Sequence, residues 1–276
     1  SELLNCLRSA SVDQVLTAQT KLSSSDLFQV ATDFYPTPDG YELPEGETII
    51  SALEKQKISI PLLVGSNLNE TSLFQCGSFN EKMNADQAKQ AVMDLVLNQV
   101  SGKNLSSNEA QQLMASYTVG PGNFDSWRAA AISASSDILF GCATRRISQW
   151  TAGSTKVYRY LLGRAPKFFR FDKCLGVPHT SDTFYMFYNN VTGKAMDAGD
   201  RMVADSIMGA WFSFVKGQEP QLTDKVWPSF DNEKEELLWI DDALHIEAGY
   251  RNKACETVDE LVFGYRARDA NEMVVI

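Results

Sequence analysis

The sequence predicts an α/β fold, a mostly parallel sheet flanked by helices. Three observations carry this expectation. Ile60-Pro61-Leu62-Leu63-Val64 is a short, continuous apolar run rich in branched residues, which suits a strand covered on both faces. Strand-like and helix-like stretches alternate along the chain, the order that builds α/β architectures. Composition breaks nowhere, with neither an internal repeat nor a low-complexity linker.

Residues 2–16 read as a helix with Leu3, Leu4, Leu7, Val12 and Val15 as apolar positions, broken by Ser23-Ser24-Ser25-Asp26. Phe34-Tyr35-Pro36-Thr37-Pro38-Asp39-Gly40 combines two prolines with an Asp-Gly turn signal and reads as an ordered loop. A short helix over 49–55 leads into the strand that begins near Ile58. Gly65 is expected to end that strand. Ser66-Asn67-Leu68-Asn69 then forms a loop, and Glu70 sits where open α/β sheets place their working residues.

Helices are predicted over 86–99, with Ala88, Val92, Leu95 and Val96 on one face, and over 106–115. The longest helical stretch is 127–150, with Ile138, Leu139, Cys142, Ala143 and Ile147 at helical spacing. Residues 156–162 alternate as a strand. The stretch 165–173 mixes aromatic and basic residues, and in so acidic a chain it reads as a partly buried loop. Ala204, Ile207, Met208, Trp211, Phe212 and Val215 mark an amphipathic helix. Residues 231–236 read as a solvated charge run, 237–240 and 243–246 as a closing hairpin, and 253–263 as a last helix.

Composition limits the functions. Across 276 residues, 44% hydrophobic side chains suffice for a sizeable core. Twenty-five basic against 35 acidic residues give a net charge of −10, which repels nucleic acid and anionic membrane surfaces. No apolar run reaches bilayer-spanning length, so no transmembrane segment is expected. Ser1-Glu2-Leu3-Leu4-Asn5-Cys6 lacks the basic start and apolar stretch of a leader, and any leader is expected to have been removed or to lie elsewhere. The 5 cysteines (Cys6, Cys76, Cys142, Cys174, Cys255) show neither C-x-x-C nor metal-ligand spacing, so neither metal nor cofactor is expected. An odd count leaves one without an internal partner if the others pair. With the sequons at Asn69, Asn104 and Asn190, the cysteines tilt the reading toward a secreted glycoprotein. Asn104 and Asn190 are the expected glycan sites, because a glycan on Asn69 would crowd Glu70.

Of the 2 histidines, His245 lies in an apolar strand, where a structural role is the default. His179 follows Gly176-Val177-Pro178 and precedes the helix-like Phe184-Tyr185-Met186-Phe187. A strand-end acid followed far downstream by a loop histidine is the order required by a Ser-His-acid hydrolase of the α/β type.

Five separated motifs then resemble the C-terminal half of a type-B carboxylesterase, the family that includes cholinesterases and some fungal lipases. They are Glu2-Leu3-Leu4-Asn5-Cys6-Leu7-Arg8; Phe34-x-Pro36-x-x-Asp39-Gly40 with Leu43-Pro44; Pro61-Leu62-Leu63-Val64-Gly65-x-Asn67-x-x-Glu70; Gly176-Val177-x-His179-x-x-Asp182; and Trp211-x-x-Phe214-x-x-Gly217-x-x-Pro220 followed by Trp227-Pro228-x-Phe230-Asp231. Thr180 departs from the pattern, standing where the family usually has glycine. G-x-S-x-G is absent altogether.

The resemblance implies an α/β-hydrolase fold of which residues 1–276 are the C-terminal half of a single domain, incomplete without an N-terminal segment. That segment, carrying the G-x-S-x-G nucleophile elbow and the oxyanion hole, is the implied partner, and an ester is the implied substrate. His179 is implied as general base, Glu70 as the acid that orients it, and Asp182 as a supporting carboxylate behind them. Val30 and Thr32 fall where cholinesterases carry aromatic residues that narrow the acyl site, which implies room for acyl groups larger than acetyl. Leu73 and Phe74 are expected to line the same cavity. Cys142 and Cys255 match family positions for a disulfide between the long helix and the last helix, and Cys6 is expected to bond a cysteine upstream. Cys76 and Cys174 flank the acid and the histidine and are candidates to pair across the site. Two other readings compete: a cholinesterase-like adhesion domain that keeps the fold without the chemistry, and a self-standing small domain. The adhesion reading is weakened by the presence of both Glu70 and His179, the small-domain reading by the open apolar edge of half a sheet.

Overall fold

The computed structural model describes residues 2–22, 39–44, 55, 58–100, 102–170, 172–188, 192–222, 225–266 and 274–275. It divides into two units, Ser1–Lys55 and Gln56–Ile276. In the first, the predicted single helix is two: α1 (Glu2–Ser9) and α2 (Val12–Leu22). Ser11 restarts the helix, because its Oγ accepts the Gln14 N–H while Gln14 Oε1 accepts the Ser11 N–H, a reciprocal cap at a helix start. The Asp39-Gly40 turn forms around one carboxylate oxygen that accepts the N–H groups of Tyr41, Glu42 and Leu43. Those bonds, Tyr41's first, hold the Asp39 carboxyl below its usual range. Gly40 supplies the positive φ of 74° that the turn requires.

The second unit is built on a four-stranded sheet, β1 (Leu62–Asn67), β2 (Val157–Leu162), β3 (Glu236–Ile240) and β4 (His245–Ala248), in that spatial order. β1 pairs with β2 and β2 with β3 in parallel, whereas the β3–β4 hairpin is antiparallel. Two strand expectations need correction. Gly65 does not end β1; the strand runs through Ser66 to Asn67. Gly65 lies opposite Tyr160, and a Cβ there would fall 2.3 Å from Tyr160 Cδ1, so glycine marks close approach to a ring. Nor is β1 covered along its whole length: Leu62 to Gly65 are partly buried and only Ser66 and Asn67 fully so. It is an edge strand of this sheet among the described residues. β2, with neighbours on both sides, is buried throughout.

Helices cover the sheet. α3 (Ser72–Gln75) follows β1 directly. α4 (Ala85–Leu95) buries Ala88, Val92 and Leu95, the predicted face. α5 (Ser107–Met114) and α6 (Trp127–Ser136) follow, and a π-helical turn, Asp137–Gly141, joins α6 to α7 (Cys142–Ala152). After β2 come α8 (Ser181–Met186), α9 (Ala198–Val215) and, beyond the hairpin, α10 (Asn252–Phe263). α9 packs Val203, Ala204, Ile207 and Ala210 against Tyr158, Tyr160 and Leu162 of β2. Phe212 and Val215, read from sequence as the same apolar stripe, are 63% and 81% exposed; the sheet takes one side of a helix that is apolar nearly all round. The run 231–236 is not wholly solvated either, because Glu235 is buried against Arg145. No described helix is long and apolar enough to cross a membrane.

Disulfides join Cys76 to Cys174 and Cys142 to Cys255, the second tying α7 to α10. Cys6 is exposed and unpaired among the described residues.

Candidate active site

Two loops meet at the C-terminal end of β1. The first leaves β1 at Leu68 and carries Glu70; the second carries Val177 and His179. They are laced together by backbone and side-chain bonds: Asn69 N–H to Val177 O (3.0 Å), Val177 N–H to Asn69 Oδ1 (3.0 Å) and His179 N–H to Glu70 O (3.2 Å). Ser72 Oγ donates to Leu175 O, and the Cys76–Cys174 disulfide closes the far side. Gly176, with φ 53°, permits this lacing, since a Cβ there would meet Asn69 Oδ1 at 2.2 Å. Thr180 adopts φ 71°, a left-handed conformation costly for a β-branched residue and natural for glycine.

Glu70 is 4% exposed. Its Oε1 accepts the Asn67 N–H at 2.7 Å and its Oε2 lies 2.6 Å from His179 Nδ1. The two carboxylate oxygens are thus occupied by different partners, which fixes the carboxylate plane and the imidazole with it. The His179 side chain is 40% exposed. Its pKa is raised above the ordinary 6.5, chiefly by the bond to Glu70, with burial opposing and the charges of Glu70 and Asp182 adding. Asp182 stands behind: Oδ2 accepts from Tyr160 Oη (2.9 Å), and Oδ1 from Asn67 Nδ2 (3.3 Å) and Thr183 N–H (2.8 Å). Asn67 therefore spans the two acids, backbone to Glu70 and side chain to Asp182. Burial, then Asp182, pushes the Tyr160 hydroxyl far up, so it stays a donor.

An apolar wall adjoins the imidazole. The Phe74 ring centroid is 5.9 Å from that of His179, and the Phe140 centroid 5.3 Å. Sequence reasoning named Phe74 but missed Phe140, which falls between the stripe positions Ile138 and Cys142. The π-helical turn presents it, an insertion that recurs at functional sites. Leu73 is 40% exposed on the same short helix. Asn69 is half-buried by its bonds to the histidine loop, whereas Asn104 is exposed. Val30, Thr32 and Asn190 lie outside the described residues. His245 begins β4 and stacks on Trp239, with centroids 5.7 Å apart.

A family model described as the Carboxylesterase family matches residues 1–258. The chain belongs to the carboxylesterase family. Among solved structures, a PNB esterase superposes with a TM-score of 0.69 at 20% identity, over 92% of this chain and 50% of that one. At this identity the likeness speaks to fold, and the sheet with its flanking helices corresponds to part of an α/β-hydrolase fold. The chain spans half the length of that esterase. A search of curated proteins returned no match.

Proposed function

We propose that this carboxylesterase-family chain carries the acid and the base of a Ser-His-Glu ester hydrolase. The observation that carries the reading is the 2.6 Å contact between His179 Nδ1 and a buried Glu70 carboxylate whose other oxygen is already engaged. A serine hydroxyl attacks an ester at neutral pH only if a base takes its proton in the transition state and returns it to the leaving alcohol. His179 is that base through Nε2. Glu70 holds the Nδ1–H tautomer and stabilises the imidazolium, a role whose removal costs about 10⁴-fold in a comparable triad. Asp182 supports Glu70 through Asn67.

The nucleophile is supplied by a segment with G-x-S-x-G that lies outside these residues, so turnover belongs to the assembled domain of which 1–276 is the C-terminal half. Phe74, Phe140 and Leu73 favour an apolar acyl or alcohol group, and the resemblance that matches Val30 and Thr32 with the acyl-site aromatics of cholinesterases implies acyl chains longer than acetyl. Two disulfides support folding in an oxidising, extracellular compartment, and exposed Asn104, with Asn190, is where glycans are carried. The deciding experiment is turnover of an aryl ester by the intact enzyme, with and without His179→Ala. A loss of about 10⁶-fold is expected. Unchanged turnover would remove the catalytic reading and leave that of a binding domain with the same fold.

A further inference from the structure

A second buried carboxylate lies beyond the histidine loop. Asp200, in the first turn of α9, is fully buried. Its Oδ1 accepts from Arg164 Nε (2.9 Å), Arg170 Nη2 (2.6 Å) and Tyr185 Oη (3.1 Å), and its Oδ2 from the N–H groups of Lys167 (3.0 Å) and Asp197 (3.3 Å). Asp197, the cap of α9, takes Arg164 Nη2 (2.8 Å) and Arg170 Nη1 (3.1 Å). Gly199 leaves space for the Arg164 guanidinium, since a Cβ would fall 2.6 Å from Arg164 Nη2. A buried carboxylate is tolerated when paired and fully hydrogen-bonded, and the two arginines with two backbone N–H groups already meet that need. Asp200 is thus satisfied without Tyr185; the buried hydroxyl needs a partner of its own, and there is a further reason for it to be this one.

That reason lies in α8. The helix has only six residues, too few to be stable through its own backbone bonds. Tyrosine–carboxylate bonds of opposite sense pin its two ends. Near the start, Tyr160 of β2 donates to Asp182 of α8 (2.9 Å); near the end, the fully buried Tyr185 of α8 donates to Asp200 of α9 (3.1 Å). His179 precedes α8 by one residue, the left-handed Thr180, and Ser181 Oγ and N–H both return to Pro178 O. The turn between His179 and α8 is thus tightly bonded, and a rotation of α8 carries the imidazole with it. Displacements near 1 Å at a reacting group can cost about 10²-fold in rate.

We propose that Tyr185, anchored on Asp200, is a positioning residue for His179: it holds α8 so that the imidazole keeps its bond to Glu70 while Nε2 addresses the substrate. This rests on the reading of His179 as the general base. Tyr185 acts only through α8. Burial first, and Asp200 next, push its hydroxyl well above the usual tyrosine value, so the anchor persists across the working pH range.

The experiment compares Tyr185→Phe, Asp200→Asn and His179→Ala in the intact enzyme, measuring kcat, KM and the pH profile on an aryl acetate alongside thermal unfolding. Tyr185→Phe keeps the ring and removes the anchor. Expected are a 10- to 100-fold fall in kcat, KM within twofold, and an acid-limb midpoint displaced toward that of an ordinary histidine as the Glu70 bond loosens. Glu70 and Asp182 are the charged groups that act on His179, and both remain in this variant. Asp200→Asn should reproduce the kcat and pH changes; if it fails to fold, Tyr185→Phe decides alone. A Tyr185→Phe enzyme that melts earlier but keeps kcat and its pH midpoint overturns the proposal and leaves Tyr185 a packing residue. Full turnover by His179→Ala would overturn the general-base reading instead, a different result in a different variant.

Discussion

Glu235→Ala tests the burial of charge in this fold. Arg145 Nε donates to Glu235 Oε2 at 2.6 Å, Nη2 donates to Oε1 at 2.7 Å, and Gln149 Nε2 adds a third bond at 2.9 Å. The side chains are 3% and 8% exposed. Cutting one partner from a buried pair leaves the other charge desolvated and alone, which costs about 3–5 kcal/mol. Asp259 and Glu256 lie 4.0 and 3.7 Å from the same guanidinium, so its charge is not wholly abandoned and the cost should fall near 3 kcal/mol. Glu235 has φ 48°; alanine meets the same backbone strain, so the change reads the charge and not the turn. Urea unfolding at neutral pH, followed by tryptophan fluorescence, measures it. Arg145→Met with Glu235→Leu removes both charges while roughly keeping volume, and should recover most of the loss. A single-variant cost below about 1 kcal/mol, or a double variant no better than the single, would mean the pair is effectively solvated.

Three further outcomes follow from the geometry. Cys142→Ala with Cys255→Ala opens a bridge between residues 113 apart and should lower unfolding stability by about 4–5 kcal/mol in the chain-entropy model; an unchanged urea midpoint would contradict it. Gly65→Ala drives a methyl into the Tyr160 ring, costing roughly 1–3 kcal/mol of overpacking and pulling Tyr160 off Asp182, so the melting temperature and kcat should fall together. In its proposed role as base His179 acts neutral, and its pKa is raised by the Glu70 bond, so kcat/KM should climb with pH through a midpoint above the usual histidine value of about 6.5. Glu70→Gln should move that midpoint down. The stabilisation from the pair is present in full below the unfolded histidine pKa and fades as pH rises through the raised folded one; a wild-type midpoint at or below the ordinary value would sink this assignment.

The parts of this structure legible in the sequence are those set by local pattern. The face of α4, the strand β2 and the β3–β4 hairpin need only local pattern, although β2 is buried throughout where alternation implies one open face, and the order of Glu70 and His179 needs only motifs. What escaped reading is decided by residues far away in the chain. Gly65 looks like a stop until Tyr160 is laid beside it on the next strand. Arg145 and Arg146 carry no local signal of burial, and they are buried because Glu235 and Asp259 arrive 90 and 113 residues later. Residues 165–173 read as a partly buried loop, but nothing local says that Arg170 is taken up by Asp197 and Asp200, 27 and 30 residues later. Phe140 could not be placed beside His179 without the π-helical turn, which shifts the register of the stripe.

The Glu70 and His179 loops are fastened by ties of different chemistry, which sets the effect of reducing one of them. Cys76–Cys174 spans 98 residues, and opening it by Cys76→Ala with Cys174→Ala should cost about 4–5 kcal/mol, most of it as entropy returned to the unfolded chain. The paired Asn69–Val177 bonds, Ser72 to Leu175, and the His179 N–H on Glu70 O all remain. Within each loop they join residues nearer to Glu70 or to His179 than the cysteines are, and they exist only in the folded state. Stability and catalysis should therefore separate: the variant unfolds at markedly lower urea yet keeps kcat within about threefold of the parent at 25 °C, a change under 1 kcal/mol in barrier. The measurement is kcat on an aryl ester below the unfolding transition, set beside the unfolding curve. A fall of a hundredfold in a still-folded variant would show that the disulfide, and not the hydrogen-bonded lacing, holds the acid against the base.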